Sequence, residues 1–89
     1  MKSHTTAAFR RAFAALPAGV RAQARRAYVQ FRFNPRHPGL RFKPVHATRP
    51  IYSVRVGLHF RAPGVVAGDE IVWFWIGSHD DYERLVGQR

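Results

Sequence analysis

The chain has no cysteine, which excludes disulfides and thiolate–metal sites and leaves the redox compartment open. It has no acidic residue before Asp69; the five carboxylates are Asp69, Glu70, Asp80, Asp81 and Glu83. Its longest uninterrupted apolar run, Ile71 to Ile76, has six residues, far too few to cross a bilayer. No apolar h-region of secretory type opens the sequence. The acid-free, Arg- and Ala-rich N-terminus shares features with a transit peptide, but Phe9, Phe13 and Leu16 continue it into a core helix. The expectation is a cytoplasmic protein with no membrane contact. Eighty-nine residues, 46% of them hydrophobic, suit one domain over 1–89 with a single small core, and argue against intrinsic disorder.

Cations are what the chain has in excess. Fifteen Lys and Arg against five Asp and Glu give a formal net charge of +10. Such a field draws in polyanions and makes their binding salt-dependent. Thirteen of the cations are arginine, whose planar fork matches phosphate. A polyanion or a strongly acidic protein partner is implied; a merely solubilising surface is the plainer alternative.

Periodicity divides the chain in two. Thr5 or Thr6 is placed to cap a helix from Ala7 to about Leu16, with Phe9, Phe13 and Leu16 on one face. Pro17 opens a second helix, Ala18 to about Phe31, with Val20, Ala24, Ala27, Tyr28 and Phe31 inward. Arg21, Arg25, Arg26 and Arg32 form its outer stripe, which reads as an ordinary solvated face. Asn34-Pro35-Arg36-His37-Pro38-Gly39 turns the chain, and His37 there reads as structural. From Leu40 the period becomes two. Strands are expected from Leu40 to about Val45, over Tyr52–Val56, over Phe60–Ala62 and over Ile71–Ile76, with Pro63-Gly64 ending or bulging the third. Ser78 with Asp81 three residues on resembles a capping box for a last helix, Asp80 to about Val86. The fold class is α+β: an N-terminal helix pair packed on a four-stranded antiparallel sheet, with a short C-terminal helix. Tyr52, Val54, Val56, Phe60 and Ala62 face the helices. Alternation puts Arg55 and Arg61 on the other face, with His59 at its rim facing His79.

The segment Trp75-Ile76-Gly77-Ser78-His79-Asp80-Asp81-Tyr82-Glu83 carries the clearest chemical signal. Histidine exchanges protons near neutral pH, and one at the exit of a buried strand is rigidly held yet wetted. Among so many arginines, this points to acid–base chemistry on a phosphodiester. A metal site from His59 and His79 would need carboxylates that the sequence does not place, so no metal or other cofactor is expected. Trp73 and Trp75 read as core.

The segments Leu16-Pro17, Asn34 to Leu40, Tyr52-Ser53-Val54-Arg55-Val56, Phe60-Arg61 and Gly77-Ser78-His79-Asp80-Asp81-Tyr82 together resemble the RelE/ParE superfamily of bacterial toxins. These are the toxin halves of type II toxin–antitoxin pairs, and the resemblance covers nearly the whole chain. It implies an acidic, partly disordered cognate antitoxin and one of two activities. RelE-like members cut mRNA in the ribosomal A site; ParE-like members poison DNA gyrase and cut no RNA. For the nuclease the resemblance implies Arg55 and Arg61 on the phosphate, His79 in proton transfer, and His59 or Tyr82 as second proton carrier or stacking platform. Arg41, Lys43, His46 and Arg49 are then contacts for the substrate backbone or the antitoxin. Ser53 stands where some nucleases have lysine, and neither Glu70 nor Glu83 is placed by position as a partner base. A toxin reduced to an antitoxin-binding module is the remaining alternative.

Overall fold

The computed structural model describes residues 1–87. An N-terminal strand β1 (Lys2–Thr5) is followed by helices α1 (Ala7–Ala14) and α2 (Ala18–Phe33). Then come strands β2 (Lys43–Pro44), β3 (Ile51–Val56), β4 (Phe60–Ala67), β5 (Glu70–Trp73) and β6 (Gly77–Ser78), and helix α3 (His79–Gly87). Thr6 caps α1, its Oγ1 accepting from Phe9 N at 3.0 Å. Pro17 begins α2, which runs to Phe33 and stops at Asn34, because the residue before Pro35 is pushed out of helical geometry.

The sheet is mixed and six-stranded, ordered β1-β5-β4-β3-β2 with β6 also on β4. This corrects the four-stranded antiparallel expectation. The missing element is β1, which pairs parallel with β5, Ser3 opposite Ile71 and Thr5 opposite Trp73. β2 is only two residues long, since Pro38–Leu40 forms a 3-10 turn. β4 continues through Pro63 and Gly64. Pro63 is tolerated because a strand residue directs its N–H and C=O to the same side. Its carbonyl accepts from Phe74 N, so the missing donor falls where the ladder with β5 has ended.

The expected strand Ile71–Ile76 is interrupted. β5 and β6 both pair antiparallel with β4, Gly64 opposite Trp73 and Arg61 opposite Gly77. Three steps along β4 therefore match four steps on the other strand, so one extra residue is inserted between them. Such a bulge re-aims the chain and often lies beside a functional site. Here it lays the Trp75 ring against Gly77, where any Cβ would overlap the indole.

On one sheet face Val54, Val56, Ala62, Ile71, Trp73 and Ile76 form the core with Phe31 and Leu40. Phe9, Phe13, Leu16, Ala24 and Ala27 close it from the helix pair. Tyr28, expected inward, is 44% exposed, because α2 meets the sheet along a narrower stripe than its apolar residues mark. The opposite face is crossed by α3, which buries Tyr82 to 5% exposure.

Candidate functional site: an arginine row beside His79

Strand register builds the site. Arg55 on β3 faces Arg61 on β4, and Arg61 faces Gly77 on β6, so both arginines share the face crossed by α3. Arg55 Nε donates to Gly57 O at 3.0 Å and Arg61 Nη1 to Phe60 O at 2.9 Å. The hairpin backbone thus holds both guanidinium groups. Gly57 makes that hairpin possible at φ 61°, a left-handed conformation that glycine adopts without strain. Arg41 joins the pair from the end of the 3-10 turn. Among the described residues it is the single non-glycine with positive φ, at 48°. None of the described ion pairs involves Arg41, Arg55 or Arg61.

The electrostatics report this crowding. The Arg61 guanidinium is held below the usual arginine range, first by burial and then by repulsion from Arg55 and Arg41. The Tyr82 phenol and the Glu83 carboxylate act in the opposite direction. Arginine keeps its charge at neutral pH all the same. A row of cations with no described ion pair suits an anion.

His79 is delivered to this row by three local features. The bulge at Trp75-Ile76 ends the apolar strand. Ser78 Oγ accepts from Asp81 N at 3.1 Å and caps α3, as its spacing foretold, although the helix begins one residue earlier, at His79. His79 N then donates to His59 O at 2.7 Å. That bond ties the start of α3 to the β3–β4 turn and brings the two histidines together. The His79 and Tyr82 rings lie 6.5 Å apart.

The other sequence candidates separate. Lys43 is exposed on β2, opposite Ser53. His46 spends Nδ1 on its own turn, accepting from Thr48 N and Arg49 N at 3.1 and 3.0 Å. Arg49 sits with it beside a recess lined by Ile51, Pro63, Phe74 and Leu85. The structure therefore brings together Arg41, Arg55, Arg61, His59, His79 and Tyr82, and leaves His46 and Arg49 aside. Glu83, set aside by position in the sequence, has its Oε1 3.3 Å from His79 Nε2. The i,i+4 spacing from His79 on a capped helix was the available signal.

A model of the ParE-like toxin domain matches residues 18–84. The chain belongs to this family. Solved structures share the fold of this ParE-like toxin. One is in the RelB–RelE antitoxin–toxin complex of Methanococcus jannaschii, with TM-score 0.70, 17% identity, and 92% of this chain and 96% of that one covered. Another is the YoeB/ParE toxin of Agrobacterium tumefaciens, with TM-score 0.70, 14% identity and coverage of 89% and 99%. The isolated RelE toxin of E. coli aligns with TM-score 0.67 and 15% identity, covering 98% and 96%. No curated protein sequence matches the ParE-like toxin.

Proposed function

We propose that this ParE-like toxin cleaves mRNA on the ribosome through the 2′-hydroxyl, with no metal in the chemistry. The arginine row Arg41–Arg55–Arg61 beside His79 carries this reading. The 2′-oxygen attacks phosphorus as His59 takes its proton. The P–O5′ bond breaks as His79 delivers a proton to O5′, leaving a 2′,3′-cyclic phosphate and a 5′-hydroxyl. Arg61 and Arg55 hold the charge that grows on the phosphate oxygens. Placed acid–base groups supply about 10²–10⁴-fold and preorganised cations about 10²–10³-fold each; the ribosome supplies the positioning of the strand. Growth arrest on induction should disappear in His79→Ala and Arg61→Ala while both remain folded; full toxicity in both would remove the reading.

The second reading is a gyrase poison without nuclease activity, and the match to a ParE-like model favours it. It would show as a DNA-damage response with mRNA intact, whereas the nuclease stops methionine incorporation before thymidine incorporation.

An acidic cognate antitoxin is the partner that both readings imply. A cavity of about 410 Å³ opens between the helix pair and the sheet, lined by Phe9, Phe13, Arg25, Tyr28 and Val29 among others. Its apolar walls and the acid-free sequence around it suit one face of an acidic amphipathic helix. Val29→Asp should weaken neutralisation by the antitoxin and spare toxicity; neutralisation at full strength would contradict this placement.

A further inference from the structure

The imidazole of His79 has two different sides. Nε2 lies 3.3 Å from Glu83 Oε1, one helical turn along α3. Among the described ion pairs Nδ1 meets the Asp80 carboxylate, 4.0 Å away, whose side chain is 94% exposed and free to swing into solvent. Glu83 also acts on the charge of Arg61, so it stands at the junction of the histidine and the phosphate cradle. The groups near His79 are Asp80, Tyr82 and Glu83 on α3 and the backbone carbonyl of His59 in the β3–β4 turn.

We propose that Glu83 is a positioning residue: its carboxylate keeps a proton on Nε2 of His79 and commits Nδ1 to exchange with RNA. This rests on the RNA-cleaving reading and adds which atom of the ring works and what holds it. In the acid step the imidazolium Nδ1–H passes its proton to O5′ as the P–O5′ bond breaks. The ring is left neutral, its remaining proton staying on Nε2 and hydrogen-bonded to the Glu83 carboxylate. A carboxylate behind a working imidazole fixes both tautomer and ring orientation in this way.

Two readouts on the intact protein test this. Ring ¹⁵N shifts of His79, taken in alkaline solution where imidazoles are neutral and assigned by loss of the signal in His79→Ala, report the tautomer. The wild type should hold a single Nε2–H form, and Glu83→Ala should show a mixture. A tautomer ratio unchanged in Glu83→Ala overturns the proposal whatever the activity. In ribosome-dependent cleavage, Glu83→Ala should lower kcat about 10–100-fold, as losing the partner behind a working histidine does, with KM unchanged. Glu83→Gln, which keeps an oxygen acceptor, should recover part of the loss, and Glu83→Ala should cost nothing further in the His79→Ala background. A full additional loss there overturns the proposal. A wild type that holds the tautomer but cuts no RNA would overturn the RNA-cleaving reading and the role of Nδ1 with it.

Discussion

Arg55 and Arg61 stand directly opposite each other on adjacent antiparallel strands, with no described ion pair on either. Like charges so placed oppose folding by about 0.2–1 kcal/mol. The cost makes sense when an anion completes the site. Sulfate or phosphate should therefore raise the Tm of the wild type, while Arg55→Ala should raise it in anion-free buffer and lose most of the anion gain. An Arg55→Ala protein as anion-responsive as wild type would contradict the row. A pH titration would not expose the effect. Because Arg61 is held below its ordinary range by burial and then by Arg55, its charge opposes folding. That cost is present at neutral pH and is relieved only as pH rises through the folded-state value, in the alkaline range.

Arg41 adopts φ 48°, a conformation that costs an ordinary L-residue about 1–2 kcal/mol and glycine almost nothing. Such strain is retained where a side chain is needed. Arg41→Gly should be more stable than Arg41→Ala by about 1 kcal/mol in chemical denaturation, and both should bind sulfate more weakly than wild type. Equal stability of the two variants would remove the strain argument; undiminished sulfate binding would remove Arg41 from the site.

Gly77 lies between the bulge and His79, and the Trp75 ring occupies the space its Cβ would need. Gly77→Ala should destabilise by about 1–3 kcal/mol through overpacking. It should also weaken toxicity beyond the loss of fold, because the displaced strand sets the start of α3. Denaturant midpoint and growth arrest, measured together, check this; an unchanged midpoint would mean Trp75 yields freely.

Tyr82 is 5% exposed, so its ring anchors α3 before it does anything chemical. Tyr82→Ala should cost about 3–5 kcal/mol, as for other large buried aromatics. Tyr82→Phe should keep the fold and, with His59 as the second proton carrier, nearly all activity. A folded Tyr82→Phe protein that is inactive would assign the proton role to the phenol instead.

Much of this architecture is legible in the sequence. Thr6 and Ser78 mark helix starts, Pro17 and Asn34-Pro35 mark the limits of α2, and alternation in Tyr52–Val56 and Phe60–Ala62 assigns faces correctly. The strand β1 is not legible because the residues on its helix-facing side, Ser3 and Thr5, are small and polar, and Thr5 is exposed. Its pairing with β5 also spans most of the chain. The bulge is hidden because Phe74, Trp75 and Ile76 are as apolar as the strand before them, and only the register with β4 reveals the extra residue. In the site, Arg55, Arg61 and His79 follow from pattern. Arg41 joins through a left-handed turn that nothing in Gly39-Leu40-Arg41 announces, and Glu83 through a contact that needs the helix to begin at His79.

Mapping mRNA 5′ ends after adding purified toxin to a reconstituted translation reaction tests RNA cleavage on the ribosome. The wild type should produce new 5′-hydroxyl ends within translated codons. These should be absent when ribosomes are omitted and lost in Arg61→Ala and His79→Ala. Intact mRNA with the wild type, under conditions where the same protein blocks gyrase supercoiling, would contradict it.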